Sequence, residues 1–162
     1  MQNAKDTFYL TLRNRLATVN PARTMTLRSV TRPGILVEDA EAFTAQPQLD
    51  AFTLRWTGLA ADLHLPAILT QMTCEIHYIT AGTQPNAGLD RGRVLERMDY
   101  ELLQLLYPYM AQKMNYTQSP AAAMSTQVFW SEPEFSPAVT DHDRLSRVAK
   151  VTVFAFQEPS ES

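Results

Sequence analysis

Cys74 and His77 are the nearest approach to a nucleophile and its base in this chain. Around them, residues 72–80 alternate Cys74, Ile76 and Tyr78 against Glu75, His77 and Ile79, which is the period of a strand. On a strand an odd offset sends two side chains to opposite faces, whereas a dyad needs both within hydrogen-bond reach. The pattern therefore predicts a buried structural cysteine. Asp141, His142 and Asp143 are residue types that hold divalent cations, but three consecutive loop residues with no further ligand at a set spacing read as a solvated turn. His64 stands in an apolar stretch with neither a third ligand nor an acid partner, and reads as packing. Five scattered glycines make no phosphate-cradling loop, since residues 82–88 lack both the lysine and the spacing. The reading is of a chain with no catalytic group, no cofactor and no metal.

Arg91, Arg93 and Arg97 lie near the start of an expected helix, with Glu96, Asp99 and Glu101 interspersed. A phosphate-binding strip would lack those acids, so a salt-bridged helix surface or a subunit contact is expected instead. Arg28, Arg32, Arg144 and Arg147 would add a second basic strip if their strands were neighbours. Trp56, Tyr78, Phe129, Trp130, Phe154 and Phe156 all fall on expected strands, as core or cross-strand pairs. The alternative use of these aromatics is a small-ligand or enzymatic pocket between the long helix and the sheet, with His77, Tyr78 and Trp130 near its mouth.

The elements that must position these groups follow from periodicity. Residues 3–19 place Phe8, Leu12, Leu16 and Val19 at helical spacing, with Asn3 as N-cap and Asn20-Pro21 as the stop. From Arg23 to Val30 the period is two, Arg32-Pro33-Gly34 reads as a turn, and residues 35–37 as a short strand. Residues 38–50 are acidic and alanine-rich, a loop or one short helical turn. Strands are expected at 51–57 and 72–80. Between them residues 58–71 form an over-long apolar loop carrying Leu59, Leu63, Leu65, Ile68 and Leu69, which needs a partner in its own domain or in another subunit. The long helix spans 90–107, with Val94, Met98, Leu102, Leu105 and Leu106 inward, Asp90 as cap and Pro108 as stop. Residues 109–125 read as irregular, 126–130 as a strand, 131–143 as a long exposed hairpin loop and 145–156 as the closing strand. The class is α+β: a mostly antiparallel sheet with long hairpins, packed against an N-terminal helix and one long central helix. Residues 1–157 form a single domain, and 158–162 a flexible tail.

Composition sets the outer limits. At 162 residues, about two-thirds of the unfolded chain's surface can be buried in one core without staples. One cysteine excludes a disulfide scaffold and fits a reducing compartment. Lys5, Asp6, Arg13 and Arg15 interrupt the opening segment, and no stretch approaches the ~18 apolar residues of a membrane span. Fourteen basic against seventeen acidic residues, a net charge of −3, argue against general binding of nucleic-acid backbone.

The opening helix Thr7-Phe8-Tyr9-Leu10-Thr11-Leu12-Arg13-Asn14-Arg15-Leu16, the long hairpin over 52–80, the single long helix at 90–107 and the closing strand at 147–156 follow one another in an order and with sizes that resemble the tail terminator (tail completion) proteins of long-tailed bacteriophages. The resemblance covers most of the chain and rests on element order, not on a motif. It implies a non-enzymatic virion protein, assembled in the host cytoplasm into a homo-oligomeric ring, usually sixfold. Such a ring caps the last ring of tail-tube protein and presents the surface that joins a neck or head-completion protein. Genomic DNA passes through its lumen without being read, and no membrane is involved. Another head–tail connector, a head-closure or adaptor protein, fits the same elements. Ring contacts require two different complementary surfaces on one subunit, and they are expected at Leu63, Leu65 and Ile68 of the apolar loop and at Arg91 and Arg93 of the helix.

Overall fold

Apolar residues at helical spacing fold Gln2–Val19 into α1 and Arg91–Leu106 into α3; between and after them the period falls to two and the chain forms sheet. The computed structural model describes residues 1–41 and 48–161. In chain order the strands are β1 (Thr24–Leu27), β2 (Val30–Pro33), β3 (Ile35–Val37), β4 (Phe52–Asp62), β5 (Leu69–Thr80), β6 (Met110–Asn115), β7 (Ala122–Trp130), β8 (Glu134–Phe135), β9 (Val139–Asp141) and β10 (Arg144–Phe156), with a one-turn helix α2 (Glu38–Glu41) after β3. The main sheet runs β3-β4-β5-β10-β7-β6, with β8 and β9 also lying along β10; β1 and β2 pair only with each other. Every pairing is antiparallel except β3 on β4, so the expected α+β class stands.

α1 and α3 cover one face of the sheet. Phe8, Leu12 and Leu16 meet Leu95, Met98, Leu102, Leu105 and Leu106 over Met72, Cys74 and Ile76 of β5 and Val151 and Val153 of β10. Phe8 sits edge-on between Trp56 and Trp130, at 5.8 and 5.1 Å between ring centres. Burying each such side chain contributes about 1.5–3 kcal/mol. The other face carries Thr73, Glu75 and His77 beside Thr152, Lys150 and Val148, the polar alternation of an antiparallel sheet with one solvated side. The total accessible surface, 9327 Å², exceeds the roughly 8,100 Å² of a compact monomer of this mass.

Several expected boundaries shift. Residues 23–30 do not form one strand. Arg28 and Ser29, at φ of 50° and 65°, turn the chain back so that Thr26 faces Thr31, a two-residue loop whose positive φ values match strand twist. Residues 58–71 are hairpin and not loop. β4 bulges between Trp56 and Gly58 and then stays paired to Asp62, leaving only 63–68 as the tip. Within the expected irregular stretch 109–125, residues 110–115 form β6, and β7 begins at Ala122; cross-strand packing overrides the low strand preference of the alanine run. The loop at 131–143 contributes β8 and β9 to the edge of β10. Asn3 does not cap α1, which starts at Gln2 without a side-chain cap. Of the expected loop 38–50, Glu38–Glu41 is α2, and residues 42–47 lie outside the described residues.

Of the residues expected as a tail, 158–161 pack against the domain. Glu158 is buried and accepts hydrogen bonds from the Ser125 and Thr126 amides and hydroxyls at 2.7–3.2 Å, and a 3₁₀ turn follows at Pro159–Glu161. Glu161 pairs with the buried Lys113 of β6, whose ammonium also donates to the Phe156 carbonyl at 2.8 Å. Lys113 is an inward-facing residue of β6 that needs this charge beside it. Its place in the sequence conceals the strand.

Candidate subunit interface

A sheet is open at its edges unless something covers them. The β6 edge is covered by α1: the Met114 amide donates to Thr7 Oγ1 at 3.0 Å, and the Arg15 guanidinium donates to the Met110 carbonyl at 3.2 Å. Among the described residues the β4 edge is strand-paired only where β3 meets Phe52, Thr53 and Leu54. From Arg55 to Asp62 no strand lies beside it among the described residues. Arg55 is tied to Glu38 in an exposed ion pair. Beyond it Thr57, Gly58, Leu59, Ala60 and Ala61 are all exposed, with no charge and no proline before Asp62.

This open edge leads into the hairpin tip. Leu63 is 70% exposed, Leu65 41% and Ile68 42%. His64 is exposed too, its amide bonded to Asp62 Oδ1 at 2.9 Å, so the packing role expected for it does not hold. The tip and edge form one apolar surface.

Arg91 and Arg93 belong to a different end. β5 carries the chain away from the tip over 12 residues, a span of about 40 Å at ~3.3 Å per residue. The turn beyond it is closed by Asp90, which caps no helix amide. Its carboxylate accepts from the Thr83 amide at 2.8 Å and the Thr83 hydroxyl at 2.6 Å, and these bonds hold its pKa below the usual range. Gly82 is required there: its φ is +76°, and a Cβ would lie 2.7 Å from Asp90 Oδ1. The structure thus brings Leu63, Leu65 and Ile68 together, and puts Arg91 and Arg93 at the far end of the sheet.

Among the described residues the arginines of α3 do not pair with its acids, of which Asp99 and Glu101 meet partners on other elements instead. Asp99 turns inward to accept the Tyr78 hydroxyl at 2.5 Å with Arg147 at 3.5 Å, and Glu101 is buried against Arg23. Arg91, Arg93 and Arg97 have no ion-pair partner among the described residues. Further along α3, Tyr100, Leu103 and Tyr107 are exposed at helical spacing, continued by Met110.

The β1–β2 ribbon is rooted at the same far end. Arg23 donates through Nε to Glu101 at 2.5 Å and through another nitrogen to the Asp50 carbonyl at 2.8 Å, while Asn20 donates to Glu101 at 2.8 Å. At the other root, Arg32 forks onto Glu41 at 2.8 and 2.9 Å and bonds Tyr9. Burial, with the Glu41 charge, pushes the Tyr9 phenol up to about 12. Burial alone would raise Glu41, but the Arg32 bonds and the Val37 amide outweigh it and hold the carboxyl below its ordinary value. The second basic strip does not form: Arg28 and Arg32 belong to the separate ribbon, and Arg144 and Arg147 to β10.

Cys74 is buried on the helix-covered face, and burial raises its thiol pKa; His77 lies on the other face, 2.9 Å from Glu75. His142 bonds the neighbouring Asp141 at 2.7 Å on an exposed turn, and no metal-ligating group of three forms among the described residues. The expected pocket is occupied by core: Tyr78 is bonded to Asp99, Trp130 Nε1 to the Leu106 carbonyl at 2.8 Å, and His77 points away. A cleft of about 270 Å³ lies elsewhere, between α1 and the sheet edge, lined by Lys5, Tyr9, Val37, Glu41 and Trp56 among others. Phe129 and Phe154 stack across β7 and β10 at 5.3 Å, the cross-strand pair expected of such aromatics.

No family model and no curated protein matches this chain. No helix among the described residues is long and apolar enough to cross a membrane, which leaves strand-built spans unaddressed.

The open edge itself was missed in sequence because Gly58, Ala60 and Ala61 are weak strand formers and the bulge at Thr57 breaks the alternation. The available signal was the pair of apolar residues Leu59 and Met72, which a continued hairpin sets opposite each other.

Proposed function

We propose that this protein is a non-enzymatic structural subunit of a phage virion, a tail terminator whose copies join into a ring. The ring caps the last ring of tail-tube protein, receives a neck or head-completion protein on its other side, and lets genomic DNA pass without reading it. The observation that carries the reading is the asymmetry of the sheet. One edge is covered by α1, while among the described residues the other has no strand beside it from Arg55 to Asp62 and leads into an apolar tip. An edge of this length, uncharged from Thr57 to Ala61, is a pairing site in waiting. Two separate surfaces, the tip and the arginines of α3 that pair with no acid among the described residues, supply the different patches that head-to-tail contacts need. The net charge of −3 suits a wall that does not grip phosphate.

Two measurements test the reading. Native mass spectrometry of the purified protein is expected to show a closed multimer, about 110 kDa for six copies of the 18.3 kDa chain. Added to polymerising tail-tube protein, that multimer is expected to stop elongation at one end. A monomer in the first measurement, or unimpeded tube growth in the second, contradicts it.

A further inference from the structure

The β1–β2 ribbon has open edges of its own. Among the described residues its two four-residue strands pair with no third strand, and an isolated two-stranded hairpin is at best marginally stable in water. One face is held down near the root by Met25 and Arg32, but Thr24, Thr26 and Thr31 face outward and Val30 is 60% exposed at the turn. These β-branched side chains favour strand over loop. On the same chain, among the described residues, β4 lacks a second strand neighbour opposite β5 from Arg55 to Asp62, twice the length of either ribbon strand. The ribbon is kept from its own vacancy by its connections. Gly34 joins it to β3, which already occupies β4 at Phe52–Leu54, and the Gly34 amide is bonded to the Arg23 carbonyl at 2.8 Å. Arg23 in turn is fixed to Glu101 and Asp50. The ribbon therefore stands at the Phe52 end of β4, with the vacancy beginning on the far side of β3.

The geometry points to strand addition between copies: the β1–β2 ribbon of one subunit pairs along residues 55–62 of β4 in a second copy of this chain. Main-chain hydrogen bonds supply the affinity, and the exposed Leu59 gives the incoming strand an apolar contact. The ribbon gains the third strand it lacks, and the edge loses its exposure. This rests on the ring reading above and names the surfaces that would make it.

The test mixes two full-length variants, Val30→Cys and Ala60→Cys, and treats them with a flexible bismaleimide. Cys74 is fully buried and silent to the reagent. A covalent dimer from the mixture, and not from either variant alone, is the expected result. In parallel, Thr26→Pro with Thr31→Pro removes two outward-pointing amide donors from the ribbon's edges at exposed, facing positions. Light scattering is expected to show the mass falling to that of one chain while the melting temperature stays within a few degrees. A wild-type multimer that gives no mixed crosslink, or that survives the double proline change, overturns the strand-addition claim and leaves the ring reading standing. A wild-type chain that is monomeric at micromolar concentration overturns both.

Discussion

Arg23 and Glu101 join the root of the β1–β2 ribbon to α3 through a 2.5 Å hydrogen-bonded ion pair, with side-chain exposures of only 8% and 7%. A buried pair tolerates replacement of both partners far better than loss of one, because the survivor keeps a charge out of water without compensation. Glu101→Gln is therefore expected to destabilise the fold by about 3 kcal/mol, read as a lower urea midpoint at unchanged slope. Exchange protection at the Gly34 and Thr24 amides should fall with it, since Arg23 would no longer hold the ribbon's root.

Glu158 makes stability depend on acid. Burial works to raise its pKa, but the bonds from Thr126 and Ser125 prevail and hold it at about 2, below an ordinary 4.5. A carboxyl whose folded pKa is depressed contributes stability that is complete above its unfolded pKa and is lost as pH falls through the folded value. The contribution is thus whole at pH 7 and drains between about pH 4.5 and 2. Melting curves of the parent and Glu158→Gln should differ at pH 7, with the parent higher, and converge near pH 2. A gap that persists unchanged in acid contradicts this role.

How much of this was readable beforehand depended on whether a residue's type agreed with its place. α1, α3 and β10 announce themselves because their inward positions are apolar throughout, as with Leu12, Leu102 and Val151. β6 does not, because its inward residue is Lys113, legible only once Glu161 is seen beside it. Glu101 was likewise assigned to the polar side of its helix, and nothing local shows that Arg23, 78 residues earlier, will meet it. For the interface, the apolarity of Leu63, Leu65 and Ile68 was plain in the sequence. That they cap an open sheet edge was not, because the vacancy is defined by where β3 stops.

The tip leucines should matter for association and little for folding. Leu63→Asp with Leu65→Asp alters two exposed side chains, so the expected change in stability is within about 0.5 kcal/mol per site. The multimer, by contrast, is expected to dissociate in light scattering. A ring that keeps its mass would remove these residues from the subunit contact.

Cys74 offers a check on the core. Its thiol is fully buried and its pKa is raised by that burial, so the thiolate that reacts with disulfide reagents is suppressed twice over. Labelling by a chromogenic disulfide should be negligible in the native protein and reach one thiol per chain in denaturant. Fast labelling of the folded state would mean that the face of β5 under α1 and α3 is not closed.

The claim that this chain is a ring-forming structural subunit is tested most directly by imaging the purified protein alone by electron microscopy. The account predicts closed rings of a single copy number with a central hole wide enough for duplex DNA. A uniform field of particles the size of one 18.3 kDa chain would contradict it.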